Sequence, residues 1–274
     1  MTRQTLRWIA ACALANAVAL SPIACDKPAD GPAPAASSAV PVDPSLLAFL
    51  SRARAAHHRA DLLENEDPKL ASSVLDELVE GPLPEGGAAR PEVGEVLADT
   101  LARLADLRSR NGEYDAASRH IDRGLELARA VSYFRGHLFE MRGLVAERLA
   151  EAKKREAEQL LGTADERMTS AQRVRLESLL AEVATLRKRV DEDPSHGSHP
   201  ELAEAERTLA ELRISALSPE LRARHRSLAR ERQAAISRAL NAFEASMQIQ
   251  AQVIEARTRS ASRPAAESSA APTR

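Results

Sequence analysis

Between Ser45 and about Arg257 the apolar side chains recur at intervals of three and four. That spacing gathers them on one face of a 3.6-residue helix and does not suit a strand, whose faces alternate every second residue. It holds in one segment after another. Ala, Leu, Arg and Glu dominate the chain, and all four are good helix formers. Aromatics are only 3% and glycines number only 11, so strand-filling residues are scarce. At 274 residues the chain can bury the core of one or two modest domains. The expected fold is all-α.

The helices can be placed in order. Leu46, Leu47 and Leu50 open an apolar face that Leu62 and Leu63 close. Asp67-Pro68 punctuates, since proline is tolerated in a first helical turn. Leu70, Val74, Leu75 and Leu78 then repeat at helical spacing, and the Gly/Pro-rich stretch 81–87 is a loop. A third helix follows Pro91, with Val93, Val96, Leu97, Leu101 and Leu104 on one face, and Asn111-Gly112 ends it. A fourth runs from Tyr114 to about Ala130.

The third and fourth helices carry Leu101, Leu104 and Ala105, then Gly112, Tyr114, Ala117, Ile121 and Gly124. This pattern of large residue, leucine and small residue, then turn, tyrosine, alanine, bulky and small residue, resembles a tetratricopeptide repeat. Arg108 and Arg129 depart from it, standing where the family has an aromatic and a proline. Weaker echoes flank the unit: Pro68, Ala71, Leu75 and Leu78 before it, and Gly143 with Ala157 to Leu161 after it. The resemblance covers about residues 46–162 and implies stacked helical hairpins. It also implies a protein-binding groove lined by the first helix of each unit. Asp99, Arg103, Asp106 and Arg110 follow spacings of four, three and four and form one polar stripe on the third helix. Asp99, Asp106 and Arg110 fall on the family's groove-lining positions, so the stripe is a candidate partner surface. The plain alternative is a solvated face with Asp99–Arg103 and Asp106–Arg110 pairs.

The C-terminal half differs. Leu176, Leu179, Val183, Leu186 and Val190 form a heptad seam, as do Leu202, Ala205, Leu209 and Leu212. Residues 193–200 separate them, long enough to reverse the chain into an antiparallel hairpin. Ser218-Pro219-Glu220 starts a last helix reaching about Arg257, with Leu221, Leu228, Ile236, Leu240, Phe243, Met247 and Ile254 as its expected apolar stripe. Residues 45–165 therefore read as a repeat-like region and 166–257 as a coiled-coil-like region of long helices. Residues 258–274 form a Ser/Ala/Pro tail expected to be disordered.

The N-terminus is of another kind. Arg3 and Arg7 precede an apolar run from Trp8 to Leu20, shorter than the roughly 20 residues a membrane span needs. Ser21-Pro22-Ile23-Ala24-Cys25 follows and resembles the lipobox of bacterial lipoproteins, although Pro22 stands where leucine is usual. The resemblance implies that residues 1–24 are a signal peptide cut between Ala24 and Cys25, and that Cys25 carries the fatty chains. It places the protein in the cell envelope, membrane-anchored and facing the periplasm. Asp26 leaves inner and outer membrane open, and ordinary secretion with Cys25 as a free thiol is the alternative. Residues 25–44 hold Pro28, Pro32, Pro34, Pro41 and Pro44 and read as a semi-rigid tether of roughly 60 Å if fully extended. Cys12 would be removed with the signal peptide, so the mature chain has no disulfide and no cysteine metal cluster.

Motifs for chemistry are missing. The chain has no glycine-rich phosphate loop, no GxSxG and no HExxH. No catalytic residues, metal or cofactor are expected. His196 and His199, near Asp191 to Asp193, read as a solvated turn; His57, His58 and His120 read as surface or packing residues. Arg222, Arg224, Arg226, Arg230 and Arg232 read as a solvated helix face paired with Glu220 and Glu231, the alternative being contact with anionic lipid or an acidic partner. A net charge of −2 argues against a general nucleic-acid binder. The leading expectation is a lipid-anchored scaffold holding a protein partner. The alternative is a structural stalk, a homo-oligomer joined through residues 171–257; an enzyme is a remote third.

Overall fold

The computed structural model describes residues 43–192 and 199–261. They form eight α-helices and, among the described residues, no strand. These are α1 (Pro44–Leu63), α2 (Pro68–Glu80), α3 (Pro91–Arg110), α4 (Tyr114–Leu127), α5 (Tyr133–Gly162), α6 (Ser170–Glu192), α7 (Pro200–Ala216) and α8 (Pro219–Ala261). The fold is all-α. Cys25 and its neighbour Ala24, with the signal peptide and the tether up to residue 42, lie outside the described residues, as do His196 and the tail beyond Ala261, whereas Asp43 and Pro44, read as the end of the tether, begin α1.

Local chemistry fixes the helix ends. Asp43 caps α1 by accepting from the Ser45 backbone N–H at 2.8 Å. The Ser45 hydroxyl and amide, with Arg90, stabilise its carboxylate and hold its pKa down at about 2. Asp67 caps α2 by accepting from the Leu70 N–H at 3.0 Å. The α3–α4 turn needs a left-handed residue, and Gly112 supplies it with φ 82°. Gly112 N–H then donates to Ser109 O at 3.1 Å and Glu113 N–H to Arg108 O at 2.9 Å, closing a Schellman motif. Thr169 and Gln172 cap α6 reciprocally.

Helix α3 is the centre of the body. One core, built on Phe49, Leu75, Val93, Leu101 and Leu104, joins it to α1 and α2. Another, built on Ala98, Ala105, Ala117, Ile121, Leu138 and Met141, joins it to α4 and α5. Helix α5 is a single helix of 30 residues. Gly143 and Ala157, the echoes of a later repeat unit, both lie within it with no turn between them.

The most extensive helix pair in the molecule is α5 with α8. The two run antiparallel: Gly136 meets Ile249 and Gln250, Gly143 meets Phe243, Lys153 pairs with Glu231 and Glu156 with Arg224. Helices from either side of residue 165 thus pack together. Small residues make the approach possible. A Cβ on Gly143 would lie 2.5 Å from the Phe243 ring, and α8 answers with Ala235, Ala239, Ala242 and Ser246, all buried. This corrects the expected apolar stripe of α8. Leu228 is buried as anticipated, but Leu240, Met247 and Ile254 are 64%, 64% and 65% exposed. Phe243 and Ile236 of that stripe are half-buried, Phe243 against Gly143, while Leu240, Met247 and Ile254 are turned outward. The helix also continues past Arg257, to Ala261.

Helices α6 and α7 form a hairpin inserted between α5 and α8. It buries Leu176, Leu179, Val183 and Ala205, and Arg187 pairs with Glu206 at 2.8 Å. Ala164, Met168 and Leu217 are buried at its base, where Arg213 grips Asp165 with two bonds, at 3.1 and 3.0 Å. No helix among the described residues is long and apolar enough to cross a membrane.

Candidate binding groove

Helices α4 and α8 both lie against α5 and leave a groove of about 580 Å³ between them. Its depth follows from the small residues beneath. Gly124 brings α4 down onto Leu138, where a Cβ would come within 2.6 Å of the leucine methyl, and the alanine face of α8 does the same on the other side. The floor is apolar: Ile121, Phe139, Val145, Ala146, Leu149 and Ala242. The Phe139 ring is flanked by the guanidinium groups of Arg135 and Arg142 at 5.4 and 5.5 Å. Tyr114, Asp115, Ser118 and Asp122 rise along the α4 wall, and Arg238 and Asn241 along the α8 wall. Asp122 is neutralised by Arg142. Among the described residues Asp115 and Arg238 have no ion-pair partner, so one wall keeps a free anion and the other a free cation.

The stripe expected on α3 lies elsewhere and is engaged within the chain. Arg103 reaches across to Asp61, at 3.1 Å, and to Glu64, both close to the end of α1. Asp106 is only 9% exposed and receives Arg110 at 2.7 Å and Arg148 of α5 at 2.8 Å. Arg148 also donates to the Ser109 hydroxyl. Of the two pairs expected along the helix, Asp106–Arg110 forms, whereas Arg103 turns to α1 and not to Asp99. Arg103 and Asp106 bolt α3 to α1 and α5. Asp61, Glu64 and Arg148 were the unforeseen members, because their approach depends on how distant helices stack.

The remaining residues singled out by sequence sit as follows. Leu101 and Leu104 are buried in the core that α3 shares with α1 and α2, and Ala105, Ala117 and Ile121 where α3, α4 and α5 meet. Gly124 faces Leu138, Gly112 makes the turn, and Tyr114 is half-buried at the mouth of the groove. His57 bonds the Thr100 hydroxyl at 2.9 Å. His120 lies 3.9 Å from Asp76, which also holds Arg108 at 2.5 Å. Burial pushes the His120 pKa below its ordinary value, aided by Arg108, Arg123 and Arg119 against the opposing pull of Asp76. On α8, Arg224 pairs with Glu156 and Glu231, whereas Arg226, Arg230 and Arg232 are exposed and unpaired among the described residues. His199 adjoins the start of α7, and among the described residues no three His, Cys, Asp or Glu side chains gather as a metal site.

No family model matches the chain, and neither a curated protein nor a solved structure does.

Proposed function

We propose that this protein is a lipid-anchored scaffold of the cell envelope that holds a helical segment of a protein partner between α4 and α8. The observation that carries the reading is the groove itself. It has an apolar floor, a width set by two helices and a free charge of opposite sign on each wall. An amphipathic helix binds such a cleft by laying its apolar stripe on the floor. The complementary partner carries a basic residue toward Asp115 and an acidic one toward Arg238. The Cys25 anchor would hold the protein at the membrane. The tetratricopeptide-like spacing of residues 101–124 is consistent with a binding role.

The test is a photoreactive side chain at Asn241, on the groove rim, in cells carrying the full protein. It should trap one discrete protein, and Asp115→Arg combined with Arg238→Glu should abolish the trapping without moving the melting temperature. Trapping that survives the double reversal would remove the groove as the partner site. Separately, Cys25→Ser should lose incorporation of labelled fatty acid; retained labelling would remove the anchor.

A further inference from the structure

The face of α8 turned away from α5 has a chemistry of its own. Leu240, Met247 and Ile254 stand on it at intervals of seven, each about two-thirds exposed, with exposed Ala251 between the last two. A seven-residue interval drifts only about 20° per step on a straight helix, so the three side chains form one line roughly 21 Å long. This is the spacing of a coiled-coil seam, on a helix whose other face is already occupied by α5. Further toward the N-terminus the same outward face turns basic, with Arg226 and Arg230 exposed and unpaired among the described residues. Beyond the apolar line, residues 254–260 are exposed on every side.

From these features we infer that α8 pairs antiparallel with α8 of a second copy of this chain, about a two-fold axis at Met247. In that register Leu240 of one copy lies opposite Ile254 of the other, and Met247 meets itself. Each copy's residues 234–240 lie alongside the bare end of the other's helix. The flanks are compatible, because Glu244 falls level with Gln250 of the other copy and no like charges are opposed near the axis. A parallel pair would set Arg226 and Arg230 against their own copies, so charge selects the antiparallel arrangement. The seam faces away from α5, so the two α5 helices lie on opposite sides of the pair. The exposed parts of the three large side chains come to roughly 400 Å² per copy, which places the pair among small, reversible interfaces. The partner groove lies on a different side of α8, so this inference stands or falls independently of that reading.

The experiment uses the full chain in mild detergent. Sedimentation should show a concentration-dependent monomer–dimer equilibrium, and Met247→Glu, which sets two carboxylates on the axis, should leave only monomer with unchanged helical circular dichroism. In a Cys12→Ser, Cys25→Ser background, Met247→Cys should oxidise to a disulfide-linked dimer. Leu240→Cys and Ile254→Cys should each stay monomeric alone but cross-link to each other when mixed. A single monomeric species at the highest concentration reached would overturn the proposal. So would Leu240→Cys linking to itself, which marks a parallel pair, or a dimer indifferent to Met247→Glu. A monomer that binds anionic lipid vesicles through these same side chains would assign the face to a membrane surface and likewise overturn it.

Discussion

The body built on α3 and the α6–α7 hairpin are both helical, but they hold their helices by unlike means. In the body, α3 is surrounded by α1, α2, α4 and α5, and Leu101, Leu104 and Leu107 are all but completely buried. In the hairpin each helix has chiefly one neighbour, and the buried side chains reduce to Leu176, Leu179, Val183 and Ala205. Two helices cannot enclose one another, so their seam stays open along Leu179, Leu186 and Ala205. Periodicity of apolar residues makes a helix, but the number of helices around it decides how much of that periodicity becomes core.

The largest expected effect lies in the body. Leu101→Ala should remove about 2–5 kcal/mol from the global unfolding transition, measured by urea titration, because the site is walled by several helices and leaves a cavity. A loss comparable to a surface substitution would mean that the body is no better packed than the hairpin. Next comes Asp106→Ala, which strips the shared anion from Arg110 and Arg148. A cost of about 1–3 kcal/mol is expected, with a double-mutant cycle against Arg148→Met revealing coupling. Strict additivity would show that the web contributes nothing.

Leu179→Ala should act locally. Amides of α6 and α7 should exchange faster while those of α3 keep their protection, and equal loosening of both regions would erase the distinction between them. Smaller still is a pH effect confined to the body. The folded His120 pKa lies below its unfolded value of about 6.5, so neutral His120 is favoured in the native state. Its contribution is fully present above that pH and declines as acid protonates the ring. The melting temperature should fall between neutral and mildly acidic pH, with a shallower slope in His120→Asn; identical slopes would show that this ring does not report burial. The smallest change should follow excision of the hairpin. Replacing residues 169–216 with a short Gly/Ser linker should leave the body's melting temperature within a few degrees, since α5 and α8 pack closely on one another without the hairpin. Failure of that variant to fold would show that the hairpin supports the body.

Helices α1 to α4 were legible because their signals are local. Asp67, Pro91 and Gly112 mark ends by bonds to residues two to four positions away or by backbone dihedral preference. The buried face of α8 was not. A reading that follows large apolar residues picks Leu240, Met247 and Ile254, whereas Phe243, Ser246 and Ile249 are the residues that meet Gly143 and Gly136, and Ala235, Ala239 and Ala242 are the ones that become buried. Which face wins is set by a helix about a hundred positions earlier in the chain. The groove is unreadable for the same reason, since its two walls, α4 and α8, belong to distant stretches brought together only by α5. The stripe on α3 shows the limit from another side: its spacing was visible, but the partners on α1 and α5 that absorb its charges were not.

Helix α5 ends at Gly162, but the helix that covers its glycine face begins only at Pro219 and makes its last contacts near Gln250. Chains are synthesised in one direction at about 5–20 residues per second, so that face stays wet until α8 has been synthesised. Closing the pair also means joining ends separated by the entire hairpin, a step with a larger loop-closure entropy than any of the local turns before it. A ribosome that stops at the end of the hairpin releases a chain in which the glycine face of α5 is uncovered and the groove has only one wall.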